Sequence, residues 1–250
     1  MTFFKMISKN LVKYIHQLEQ KKYRKREGLF VAEGTKVVGD LLKYHRPKAL
    51  FATDGWKAPV GISYTKVSED ELLRISFQQH PQQVIGLFPI PSQKATIDFY
   101  GKLVLALDGV QDPGNLGTII RIADWFGIGT IICSEDTADA WNPKVIQATM
   151  GSIARVNIIY ANLLDMLETL PPDFPVYGTL LDGENIYSQP LSEEGLIIMG
   201  NEGNGISDAV RAKINKRLLI PDFHHGETAD SLNVAIATAI TCSEFRRRQT

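Results

Sequence analysis

Cysteine is scarce: the 250 residues contain two, Cys133 and Cys242, each inside an apolar run. A free thiol in such a run behaves as a small buried hydrophobe, and two cysteines without local histidine partners match no metal-ligand spacing. Long hydrophobic stretches are also lacking. Runs such as Leu103–Leu107 and Leu196–Met199 fall far short of the roughly 20 residues that cross a bilayer. The opening Met-Thr-Phe-Phe-Lys turns polar at once and offers no signal-peptide core or cleavage site, so a cytoplasmic location away from membranes is the default expectation. No P-loop sequence, internal repeat or low-complexity tract occurs, which disfavours nucleotide hydrolysis of the P-loop type.

Net charge is nearly absent too, at −1, but that sum hides a split. Residues 1–92 carry 15 Lys+Arg against 8 Asp+Glu, while residues 93–250 carry 12 against 20. Phosphate affinity comes mainly from clustered cations, so the N-terminal third is the end expected to hold a polyanion. Its densest run is Lys21, Lys22, Arg24, Lys25 and Arg26, the candidate RNA contacts; the plainer alternative is a solvated helix end.

What is present is ordinary for a soluble globular chain, with 44% hydrophobic and 22% charged residues. Leu11, Tyr14, Ile15 and Leu18 form a helical stripe behind a Ser8 cap. Short strands at 29–32, 49–52 and 84–88, with helices at 35–44 and 69–76, read as a small α/β unit. Pro89, Pro91, Ser92, Gln93 and Lys94 look like a linker, giving expected domains of 1–94 and 95–250. Beyond it, apolar strands at 103–107, 130–133, 176–181, 196–199 and 217–220 alternate with helical stretches. Continuous apolar strands between helices imply a mainly parallel sheet covered on both faces, with ligands at the carboxyl ends of its strands.

Three loops follow three of those strands. The first, Asp108 to Gly117, contains Asp112-Pro113-Gly114 turn chemistry, with Asn115 as the expected helix cap and Arg121 on the outer face of the helix. The second, Gly200-Asn201-Glu202-Gly203-Asn204-Gly205, lets backbone approach a ligand closely. Its spacing is not the dinucleotide fingerprint, although Asp222 lies where a ribose-binding acid would, which keeps a nicotinamide dehydrogenase as a competing reading. In the third, Ile220 to Val234, Ser231 can cap the last helix. His224 and His225 are adjacent in an extended loop and face opposite ways, so no metal site is expected.

Taken in order, Asp-Pro-x-Asn-x-Gly with Arg121 six residues beyond Asn115, then Gly-Asn-Glu-Gly, then Ser-Leu-Asn-Val resemble the three signature motifs of the SpoU/TrmH methyltransferases of the SPOUT superfamily. The likeness runs over about 103–247 and includes Gln147 to Ser152. Residues 23–42, with Phe30-Val31-Ala32-Glu33-Gly34, are similar to the L30e-like substrate-binding domain that precedes the catalytic domain in many members. The resemblance implies an α/β fold with a C-terminal trefoil knot, a homodimer with shared active sites, and methyl transfer from S-adenosyl-L-methionine to a ribose 2'-hydroxyl. The RNA is expected to be rRNA before tRNA; a non-catalytic L30e-type RNA-binding protein is a further alternative. It implies that Gly200, Ile220 and Leu232 line the cofactor pocket through their backbone, with Thr179, Asn201, Gly203 and Leu219 beside them. Asn115, Arg121, Glu202, Ser231 and Asn233 would lie in or beside the reaction centre. The loop from Asp222 to Asp230 is longer than in many members by about three residues, which makes the lid of the pocket the least transferable part. Arg121 would act either as the base or, given its free pKa above 12, as a clamp on phosphate and developing alkoxide.

Overall fold

In the computed structural model, which describes residues 7–92, 97–224 and 231–247, the chain divides into two compact units, and not by a single cut. One takes the chain up to Ser92 together with Asp139–Ala154; the other takes Gln93–Ala138 and Arg155 onward. The return of Asp139–Ala154 to the first unit has no counterpart in the single boundary expected near residue 95.

In the first unit, α1 (Lys9–Gln17) starts on Ser8, whose hydroxyl accepts from the Leu11 amide at 3.2 Å, and it buries Ile15. Then come α2 (Lys21–Glu27), β1 (Leu29–Glu33), α3 (Thr35–Tyr44), β2 (Ala49–Ala52), β3 (Thr65–Lys66), α4 (Glu69–Ile75) and β4 (Val84–Pro89). The strands form a sheet in the order β1-β4-β2-β3, with β4 antiparallel to both neighbours. Trp141 of the returning segment lies against Phe30 of β1 with ring centroids 4.9 Å apart.

Arg24 corrects the expectation that it touches RNA. Successive helical residues point to different faces, and Arg24 takes the inward one. Its side chain is 2% exposed. Nη1 donates to the Leu18 and Glu19 carbonyls at 2.8 and 2.6 Å, and the guanidinium pairs with Asp139 of the returning segment. With its donors committed to carbonyls and a carboxylate, no fork remains for phosphate. Lys21, Lys22, Lys25 and Arg26 are exposed. Arg24→Lys keeps the charge and loses the planar fork, so we expect it to destabilise the chain by about 2 kcal/mol, read as a lowered urea midpoint. An unchanged midpoint would show that the ion pair with Asp139 is incidental.

The second unit holds β5 (Leu103–Leu107), α5 (Pro113–Trp125) and β6 (Thr130–Cys133); after α6 (Pro143–Ala148) of the first unit it continues with β7 (Asn157–Tyr160), α7 (Leu163–Glu168), β8 (Val176–Asn185), β9 (Gly195–Met199), α8 (Asp208–Arg211), β10 (Lys216–Leu219) and α9 (Val234–Arg247). All pairings in its sheet, ordered β10-β8-β9-β5-β6-β7, are parallel. β5 and β9 are buried along their whole length, as sequences apolar at every position require when helices cover both faces. The sheet runs outward from β5 through β6 and β7, and the later strands lie on its other side. That makes the carboxyl ends of β5 and β9 a topological switch point, where α/β sheets place ligands.

Candidate active site

The loops after β5 and β9 are sewn together by polar contacts. Asp108 accepts from the Ser207 amide at 2.8 Å, and Asn201 Nδ2 donates to the Gly109 carbonyl at 2.6 Å. Asn201 Oδ1 accepts from the amides of Gly203 and Asn204 at 2.9 and 3.0 Å, and its backbone bridges to Gly205. The tight loop leaves no room at its root. A Cβ on Gly200 would lie 2.3 Å from the Gly205 carbonyl carbon and 2.4 Å from the Ile206 nitrogen, and backbone cannot yield as a side chain does.

Two helix starts differ from the sequence reading. The cap of α5 is Asp112, which accepts from the Asn115 amide at 2.7 Å, with Pro113 in the first turn. Proline lacks an N–H and suits that position, so the helix begins earlier and Asn115 lies within its first turn. At α9 the cap is Asn233, not Ser231: its Oδ1 accepts from the Ala235 and Ile236 amides at 2.9 and 3.3 Å.

Those corrections free Asn115 to join a chain of side chains across all three loops. Asn233 Nδ2 donates to Asn115 Oδ1 at 3.0 Å, and Asn115 Nδ2 donates to Glu202 Oε1 at 2.9 Å. Glu202 also accepts from the Gln111 and Asp112 amides, both at 3.3 Å. Burial pushes the Glu202 carboxyl up, but the hydrogen bonds from Asn115 and the loop amides outweigh it and hold it below the ordinary glutamate range. A depressed carboxylate contributes stability at high pH that is lost as pH falls through its folded-state value. The three-loop arrangement should therefore be intact across neutral pH and loosen only below the ordinary glutamate value of about 4.3. Ligand affinity measured from pH 8 down to about pH 3, through the range below the ordinary glutamate value, tests this; a fall already centred near neutrality would show that another group controls the loops.

Beside this chain is a cavity of about 460 Å³, lined by Thr179, Gly200, Asn201, Glu202, Gly203, Leu219, Ile220, Ser231 and Leu232 together with Leu218, Val234 and Arg211. It thus gathers every residue expected at the cofactor and two of those expected at the reaction centre. Asn115 and Asn233 reach it through Glu202. Arg121 is exposed on α5 and does not line it. Arg211, paired with Asp182, is a lining residue that sequence reasoning missed, because one arginine in a short polar helix carries no spacing signal. His224 is described but lines no part of the cavity, and the enlarged loop beyond it, with His225, lies outside the described residues. No group of three or more potential metal ligands occurs among the described residues.

A parallel sheet whose switch point holds a glycine-lined cavity beside a committed carboxylate defines a ligand-binding α/β domain. Residues 102–243 match the SpoU rRNA Methylase family, and residues 9–86 match the MRM3-like substrate binding domain. The chain belongs to the SpoU/TrmH family of RNA methyltransferases. It is 34% identical to the 23S rRNA (guanosine(2553)-2'-O)-methyltransferase RlmP of Bacillus subtilis, over 94% of this chain and 95% of that one. A TrmH-family structure from Porphyromonas gingivalis superposes with a TM-score of 0.88 at 42% identity, covering 97% of this chain and 99% of that one. An AdoMet-bound rRNA methyltransferase from Sinorhizobium meliloti gives 0.85 at 33% identity, covering 97% and 96%. The family and the α/β fold expected from the three motifs are borne out.

Proposed function

We propose that this chain transfers the methyl group of S-adenosylmethionine to a ribose 2'-hydroxyl of rRNA. The observation that carries the reading is the hydrogen-bonded line from Glu202 through Asn115 to Asn233, which ties the three motif loops together beside the cavity. The relatives support the choice of RNA and donor: the Bacillus subtilis protein is named for 23S rRNA 2'-O-methylation, and the Sinorhizobium meliloti structure holds AdoMet.

The residues present fit such a donor. The cavity volume lies within the roughly 300–1,000 Å³ of small-molecule sites. Leu218, Leu219, Ile220, Leu232 and Val234 supply apolar surface for a flat base, and the Gly200 to Gly205 turn, whose root is too tight for a side chain at Gly200, supplies backbone groups. Gly200, Ile220 and Leu232, with Thr179, Asn201, Gly203 and Leu219, would hold the donor. When bound, its sulfonium supplies a methyl group already activated by positive charge.

The chain's own task is then to align a hydroxyl and stabilise the charge that develops on it. The hydroxyl proton passes to solvent water as the ribose oxygen takes up the methyl group; Arg121, exposed to that solvent, binds the adjacent phosphate and the developing alkoxide; Asn115 and Glu202 fix the first turn of α5; Ser231 and Asn233 shape the approach from α9. The outer faces of α5 and α9 expose Trp125 (85%) and Ile236 (53%), large apolar groups that a second copy of the chain would cover. We therefore place the reaction in a homodimer, with the C-terminal knot of the superfamily, acting on RNA in the cytoplasm. No helix among the described residues is long and apolar enough to cross a membrane.

Calorimetric titration with S-adenosylhomocysteine and with NAD tests the donor, and mapping of 2'-O-methyl sites in RNA from cells lacking the protein tests the acceptor. Binding of the first ligand with loss of one rRNA mark is expected. Binding of NAD alone, or loss of a tRNA mark only, would replace the reading.

A further inference from the structure

α3 ends at Tyr44, and the chain enters β2 through His45-Arg46-Pro47-Lys48. Opposite this turn run residues 60–65, the approach to the edge strand β3. Between them is a groove of about 850 Å³, lined by Lys43, Arg46, Lys48 and His45 and, among the described residues that line it, by no carboxylate. Tyr44 stands 59% exposed on its wall, and Tyr64 faces it from the far side.

Helix stability explains part of this charge and not the rest. Cations favour the carboxyl end of a helix, and Lys43 sits in the last turn of α3, where it also pairs with Asp40 at 2.8 Å. Arg46 and Lys48 lie beyond the helix, are exposed, and cap nothing. The partial negative charge at the end of α3 opposes an anion, but it amounts to roughly half a unit against two full cations outside the helix. The groove also adjoins α2. The Glu27 carboxyl there is held low first by its hydrogen bond from Arg26, and the charge of Lys48 adds to this. Lys48 thus shares the Glu27 carboxylate with Arg26, while Arg46 has no acid beside it in the groove lining.

We propose that this groove is an RNA-backbone site: phosphates rest on Arg46 and Lys48, and an unstacked base lies on Tyr44. Cations beside an exposed aromatic ring, with no acid in the lining of the groove itself, are what a single-stranded or looped segment needs. An acidic peptide would use the cations and leave the ring without a task. The inference rests on the rRNA reading above and places contacts outside the run at residues 21–26.

The test uses the full chain and in-vitro transcribed 23S rRNA, with binding measured between 50 and 200 mM salt and S-adenosylhomocysteine affinity as the control for folding. Arg46→Ala with Lys48→Ala should weaken RNA binding by about 10-fold and make the salt slope shallower by roughly 1.4 to 1.8. Tyr44→Ala should weaken it by about 10-fold and Tyr44→Phe should restore it, since the phenyl face stacks equally well. Unchanged affinity and slope in these variants, with the unmodified chain binding RNA, overturns the groove and leaves the methyltransferase reading standing. An unmodified chain that binds S-adenosylhomocysteine but no rRNA overturns both. Displacement of the RNA by poly-glutamate that is insensitive to Tyr44→Ala reassigns the groove to an acidic protein and also overturns the proposal.

Discussion

Replacing Arg121 with alanine is expected to lower methyl transfer to rRNA by about 10²- to 10³-fold, the effect of removing a preorganised donor from a developing oxyanion, while affinity for S-adenosylhomocysteine stays the same. The separation follows from position. Arg121 projects from the exposed face of α5 and contributes nothing to the wall of the cavity, so its loss leaves the donor site whole. It lies two turns along the helix that Asp112 caps and Asn115 anchors, and a short anchored helix holds a guanidinium in a defined direction. Arg121→Lys should retain a small part of the rate, because a point charge replaces the bidentate fork. Equal loss of donor affinity and rate would show that Arg121 acts only through the fold.

The second unit was legible because its signals are local. Strands apolar at every position, such as Leu103 to Leu107, read as buried parallel strands, and β5 and β9 are each followed by a loop rich in glycine and asparagine. β7 escaped notice because its Asn157-Ile158-Ile159-Tyr160 carries only a two-residue apolar run at the sheet edge. Helix capping misled the reading at both critical helices. Asn115 and Ser231 are good caps by type, but Asp112 precedes a proline that starts α5 early, and Asn233 lies nearer the first turn of α9. The return of Asp139–Ala154 to the first unit is a long-range packing event that no periodicity announces. Arg24 shows the same limit, because its partner Asp139 is distant in sequence and a run of basic residues gives no sign of which one turns inward.

Those capping corrections make the direction of the Glu202 to Asn233 line predictable, and with it the consequence of Asn115→Asp. The amides at the start of α9 require an acceptor, so Asn233 presents Oδ1 to Ala235 and Ile236 and turns Nδ2 toward Asn115. Asn115 must then offer Oδ1 to Asn233 and Nδ2 to Glu202, since an amide carries one acceptor and one donor end. Aspartate at 115 satisfies Asn233 but sets a second carboxylate against Glu202, across a gap that is 2.9 Å in the unmodified chain. Two carboxylates at that range cannot both stay ionised without a large penalty. Either one takes up a proton and keeps a hydrogen bond across the gap only while protonated, or the loops carrying them separate and displace the start of α5. Asn115→Asp should therefore cost about 10²-fold in transfer rate and do more damage than Asn115→Ala, which removes the contacts without adding repulsion. Adding Glu202→Gln should recover part of the loss, because its amide can donate to the new carboxylate; this coupling is read directly from a double-mutant cycle. If aspartate and alanine at 115 are equally harmful, and Glu202→Gln gives no recovery, the line of hydrogen bonds does not organise the site.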